Sequence, residues 1–186
     1  MTLTPKFVTD TNQRVWVYIP KVVLFCLCGA VLGSVVGIIL FPGHPANLFR
    51  SHSSALALFF GLVIFSPVVE TLMLACLVIL LCKIFRSDRN VALASAAIWA
   101  LLHSSMAIRW GFSVFVSFYM MTLCYLVWAR VSVFRALLIT AAIHASINFV
   151  PSLLVIAHLH NEPSKTLVPT PAADAPVALD AGPAHL

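Results

Sequence analysis

Charge is scarce in this 186-residue chain: 9% of its residues are Asp, Glu, Lys or Arg, where soluble domains carry about 25%. That shortfall excludes an ordinary water-exposed globule. Acidic groups are scarcer still, six in all, and Glu70 is the one acidic side chain between Asp10 and Asp88. The net charge of +5 does not indicate nucleic acid, because the basic residues are scattered at the ends of apolar runs and form no patch. The five cysteines (Cys26, Cys28, Cys76, Cys82 and Cys124) lack CxxC spacing and nearby histidine pairs. They read as small apolar packing residues, not as a redox or metal motif. The N-terminus has no small-residue cleavage site of the kind that ends a signal peptide, so the first apolar run is expected to be a retained span. Nor is there an inverted repeat of the kind many transporters carry.

What the chain has in abundance is apolar length, with 61% of its residues hydrophobic. A membrane span needs about 20 apolar residues. Five segments qualify, at 22–41, 54–82, 91–108, 111–129 and 136–157. The fold class is therefore an all-α, polytopic transmembrane bundle of about five spans. Residues 1–20 form a cytoplasmic segment, 21–160 the membrane domain, and 161–186 a Pro- and Ala-rich tail that is expected to be disordered. Pro67, inside the overlong second run, is expected to kink or tilt it.

Lysine and arginine bias sets the orientation. With the N-terminus in the cytoplasm, that side holds Lys6, Arg14, Lys21, Lys83, Arg86, Arg89, Arg130 and Arg135, against Arg50, Arg109 and Lys165 on the other. The C-terminus is then external. Trp16, Tyr18, Trp110 and Trp128 fall near span ends, where amphipathic rings sit at the membrane interface; Trp99 does not. Gly29, Gly33 and Gly37 put a flat stripe on one face of the first span, suited to close packing on another helix of the chain or on a second copy as a homodimer.

The informative residues are the polar ones inside the spans. A carboxylate at hydrocarbon depth costs several kcal/mol by most estimates, so Glu70 is expected to face a polar cavity that does chemistry or transport. His103 lies in the third span and His144 in the fifth, with Asn148 four residues further along the same helix face. Glu70, His103 and Asn148 each lie 12 residues from the cytoplasmic end of their span, or about 18 Å deep at 1.5 Å per residue. His144 is one turn closer to the cytoplasm. The four side chains can therefore share one layer. Each also has a plainer role as helix-to-helix hydrogen-bonding glue.

Three stretches carry a family resemblance: Pro67-Val68-Val69-Glu70-Thr71, Trp99-Ala100-Leu101-Leu102-His103 and His144-Ala145-Ser146-Ile147-Asn148. In order and helical placement they resemble the EExxxR, FxxxH and HxxxN motifs of the CPBP family of intramembrane proteases, named for CAAX proteases and bacteriocin-processing enzymes and also called Abi proteins. Thr71 stands in place of the second glutamate, Ala75 in place of the arginine and Trp99 in place of the phenylalanine. The match spans residues 65–150.

The resemblance implies hydrolysis of a peptide bond within the membrane. Glu70 with His103 would activate a water, and His144 with Asn148 would hold the oxyanion. No cofactor is then required. The alternative is a zinc ion on Glu70, His103 and His144, which leaves Glu70 no freedom to act as the sole base. The implied substrate is a membrane-embedded or lipidated peptide, with no nucleic-acid partner, in a bacterial cytoplasmic membrane. Three rivals stand beside this reading: an inactive CPBP-like binding or immunity protein, a haem protein with His103 and His144 as axial ligands, and a small proton-coupled transporter. The chain's own C-terminus, Ala184-His185-Leu186, is not a prenylation signal.

Overall fold

The computed structural model of the chain describes residues 5–43 and 54–161. These form an all-α bundle: α1 (Lys6–Thr9), α2 (Val15–Leu40), α3 (Ala55–Phe60), a π-helical turn (Gly61–Phe65), α4 (Ser66–Leu81), α5 (Asp88–Met106), α6 (Trp110–Ala129) and α7 (Val133–Asn161). Arg50, Lys165 and the tail beyond Asn161 lie outside the described residues.

Where the sequence predicts five spans, four helical stretches among the described residues are long and apolar enough, by length and composition, to cross a membrane: Val15–Leu40, Ala55–Leu81, Trp110–Ala129 and Val133–Ala157. The fifth, α5, is a 19-residue helix whose apolar character is diluted by Asp88, Arg89 and Asn90 at one end and by His103, Ser104 and Ser105 at the other. It nonetheless packs along α6 within the bundle. The first span also begins earlier than expected, at Val15, because Val15, Trp16 and Val17 extend the helix ahead of Pro20.

Polar contacts sort the helix ends into two groups. Arg130 reaches Asp88 at 2.6 Å, the Tyr18 hydroxyl donates to the Val8 carbonyl, and Thr9 and Thr11 line one pocket with Asp88 and Arg130, so α1, the start of α2, the start of α5 and the α6–α7 turn share one end. At the opposite end, Arg109 donates to the Phe41 and Pro42 carbonyls at 2.8 and 2.7 Å. This ties the α5–α6 turn to the last turn of α2, whose terminal carbonyls have no helical donors.

The centre of the bundle is α6, packed on α2, α5 and α7 and more lightly on α4. Within lipid, helices associate through close packing and interhelical hydrogen bonds, because lipid tails are as apolar as leucine. Glycines allow that closeness here. A Cβ on Gly33 would lie 2.0 Å from the Phe112 carbonyl oxygen, and one on Gly29 would lie 2.4 Å from a Val116 methyl. The glycine stripe of α2 is thus covered by α6 of the same chain, and that face is not left open for a second copy. The α5–α6 contact is equally tight at Gly111, where a Cβ would lie 2.4 Å from the Ala100 carbonyl oxygen. A buried hydrogen bond from Thr122 to Ser95, at 3.0 Å, also joins these two helices.

Two of the aromatic residues near span ends are covered by neighbouring helices. Tyr18 and Trp128 are buried against each other edge to face, with ring centroids 5.5 Å apart. Trp16 is exposed as expected. Trp99, which had no interfacial explanation, lies flat on Phe118 with centroids 4.6 Å apart.

Candidate functional site

The backbone around Glu70 is set by Pro67. Proline has no N–H, and its ring crowds the carbonyl four residues back, so a regular α-helix cannot pass through it undisturbed. The chain responds by widening into the π-helical turn at Gly61–Phe65. The Ser66 N–H then donates to the Gly61 carbonyl, five residues back. The Leu62 carbonyl loses its α-type donor, Ser66, to Gly61, and its π-type donor would be Pro67, which has none. Asn148 on α7 fills the gap: its Nδ2 donates to the Leu62 oxygen at 3.0 Å. The irregularity expected at Pro67 is therefore what couples the second span to α7.

One turn further along, Glu70 faces both histidines. Its Oε1 accepts a hydrogen bond from the Ser66 hydroxyl. Its Oε2 is 4.0 Å from His103 Nε2 and 3.7 Å from His144 Nε2. It is buried and has no direct hydrogen-bond partner among the described residues. The side chains of Glu70, His103 and His144 are 21%, 14% and 6% exposed. These three and Asn148 line one cavity of about 340 Å³ enclosed by α2, the α3–α4 segment, α5, α6 and α7. The rest of the lining is largely apolar, including Leu62, Met106, Phe118, Met121 and Ile147.

The tautomer of His103 follows from its partner. Its Nδ1 lies 2.8 Å from the Trp99 carbonyl oxygen, which can only accept, so Nδ1 carries the proton. In the neutral ring, Nε2 is then an acceptor directed at a carboxylate oxygen. Two acceptors at 4.0 Å need a donor between them, either a proton or a small molecule with hydrogens to give. An aromatic frame holds the rings. Phe118, stacked on Trp99, lies 5.3 Å from the His103 ring and 5.7 Å from the His144 ring, and Trp110 meets His103 edge to face at 5.2 Å.

The layer expected from residue spacing thus assembles, with one difference in arrangement. Glu70, His103 and His144 converge within 4.0 Å. Asn148 lines the same cavity, but one of its amide hydrogens is committed to a backbone carbonyl. Thr71 and Ala75, which stand at the family's second glutamate and its arginine, are buried and do not line the cavity.

Zinc ligands about 2.0–2.1 Å from a tetrahedral ion lie about 3.4 Å from one another. The Glu70–histidine separations are wider, and Oε1 is already engaged by Ser66. Among the described residues, no three His, Cys, Asp or Glu side chains are grouped so as to hold a metal ion. The residues as placed do not fit the zinc alternative.

Ser66, Ser117 and Phe118 belong to the site and were not singled out in the sequence. The i, i+4 spacing of Ser66 and Glu70 could have revealed the first. Ser117, buried on the cavity wall without a hydrogen-bond partner among the described residues, shares a helix face with Ser113, which also lines the cavity. Nothing in the sequence marks Phe118 among 13 phenylalanines.

No protein-family model, curated protein or solved structure matches this chain.

Proposed function

We propose that the chain is an intramembrane endopeptidase of the CPBP type, hydrolysing a peptide bond of a membrane-embedded or lipidated substrate with a glutamate-activated water. The observation that carries this reading is the approach of one Glu70 oxygen to two imidazole nitrogens, at 3.7 and 4.0 Å, in a cavity inside an apolar bundle. A water at about 2.8 Å from both Glu70 Oε2 and His103 Nε2 satisfies hydrogen-bond geometry. It donates one hydrogen to Glu70 Oε2 and the other to His103 Nε2.

As that water attacks the scissile carbonyl, Glu70 accepts its proton and later returns it to the leaving amide nitrogen. The carbonyl oxygen, now negative, is held by N–H from His144, with the second Asn148 amide hydrogen beside it. Ser66 steers the carboxylate through Oε1. The burial of Thr71 and Ala75 away from the cavity supports activity without the family's second glutamate and arginine. No resident metal takes part in this scheme. The basic end of the bundle lies in the cytoplasm and the C-terminus outside, in a bacterial cytoplasmic membrane.

The test is Glu70→Gln in the full chain reconstituted in vesicles, with cleavage of an apolar peptide library read by mass spectrometry. Turnover should fall at least about 10³-fold, and a chelator should leave the unaltered protein active. Cleavage that survives the substitution would refute the scheme. If the protein cleaves nothing, yet its cellular effect is the same with Gln at this position, a binding or immunity role takes its place.

A further inference from the structure

We infer that a second site, at the basic end of the bundle and remote from Glu70, binds the headgroup of an anionic phospholipid. A groove of about 610 Å³ opens between the starts of α2 and α7. Arg14, immediately before α2, and Arg135, in the first turn of α7, both line it, together with the polar side chains of Thr11 and Gln13. Lys21 stands at the rim, its Nζ 3.4 Å from Gln13 Oε1.

Among the described residues, no acidic residue lines this groove. The neighbouring Arg130 is neutralised by Asp88 at 2.6 Å, whereas among the described residues no carboxylate pairs with Arg14 or Arg135. Guanidinium forks match phosphate oxygens bidentately. Two of them at the edge of an apolar bundle, where an anionic leaflet attracts basic side chains, make a phosphate the complementary ligand.

The floor distinguishes a lipid from a free phosphate. Below the arginines the groove is lined by Ile19, Trp128, Leu138, Ile139 and Ala142. Ile19 is five residues beyond Arg14 and Ala142 seven beyond Arg135, which carries the apolar lining about 7–11 Å along the helices. That suits the glycerol backbone and upper acyl chain of a phospholipid and gives an inorganic anion nothing to bind.

The test is native mass spectrometry of the detergent-purified full chain, titrated separately with dioleoylphosphatidylglycerol, dioleoylphosphatidylcholine and inorganic phosphate. Phosphatidylglycerol should bind at least about tenfold more tightly than phosphatidylcholine, and phosphate should not compete. Arg14→Gln and Arg135→Gln should each weaken phosphatidylglycerol about fivefold, the usual pull of an anionic leaflet on one basic side chain. Lys83→Gln with Arg86→Gln, which removes two charges elsewhere at this end, should leave binding intact. Ala142→Trp, which fills the floor and keeps both arginines, should also weaken it, so the outcome does not hang on one variant that fails to fold. Equal binding of the two lipids, competition by phosphate, or equal loss in the Lys83 and Arg86 variant would overturn the site.

Discussion

The hydrogen bond from Asn148 to the Leu62 carbonyl makes a prediction that separates backbone support from chemistry. Asn148→Leu keeps the side-chain size and removes the donor, leaving an acceptor that Pro67 has already deprived of its backbone partner. Orphaning a buried carbonyl costs about 1–3 kcal/mol. Interhelical side-chain hydrogen bonds in membranes average about 0.6 kcal/mol and reach about 1.7. Because Leu62 borders the cavity and is only half-buried, a cost of about 1 kcal/mol is expected. In a Pro67→Ala background, Leu62 regains a backbone donor whether the turn stays π-helical or reverts to α-helix. There Asn148→Leu should cost close to nothing. The coupling of about 1 kcal/mol, a factor of about five in the unfolding equilibrium, can be read from a double-mutant cycle of reversible unfolding in mixed micelles. Strictly additive penalties would show that the π-turn does not explain Asn148. A large loss of turnover in Asn148→Leu that Pro67→Ala fails to relieve would show its second amide hydrogen acting on the oxyanion independently of the Leu62 bond.

Ser66→Ala should lower turnover about tenfold or more with little change in substrate affinity, since hydrogen bonds to charged groups contribute about 1.5–3 kcal/mol; a change confined to KM would refute its role in steering Glu70. Gly33→Ala should destabilise the bundle by about 2 kcal/mol or more, because the backbone oxygen of Phe112, 2.0 Å from the new Cβ, cannot move aside. Gly37→Ala, whose nearest neighbour is Arg109 Cβ at 3.3 Å, should be within about 1 kcal/mol of neutral. Thermal unfolding of the two side by side checks the order, and equal effects would contradict the α2–α6 packing. Arg109→Lys should not replace the two-pronged cap on Phe41 and Pro42; faster amide exchange in the last turn of α2 would report it, and unchanged exchange would refute the cap.

Much of this was legible in the chain itself because membrane embedding turns residue number into depth. A helix rising about 1.5 Å per residue places Glu70, His103 and Asn148 at one level once the ends of the apolar runs are known, and the four-residue step puts His144 and Asn148 on one face. Low charge and long apolar runs sufficed for the all-α membrane class. Of the five runs, α5 alone falls short of a span's apolarity by itself, because it carries polar residues at both ends, and it is sheltered by packing on α6.

What depth and face leave open is direction around the helix axis, meaning which neighbour a side chain meets, and that is decided by how the helices pack. Packing turned the glycine stripe toward α6, buried Tyr18 and Trp128 against each other, and set Phe118 beside both imidazoles. It also gave Asn148 a carbonyl to bind, one whose lack of a backbone partner comes from a proline on a different helix, 81 residues earlier in the chain.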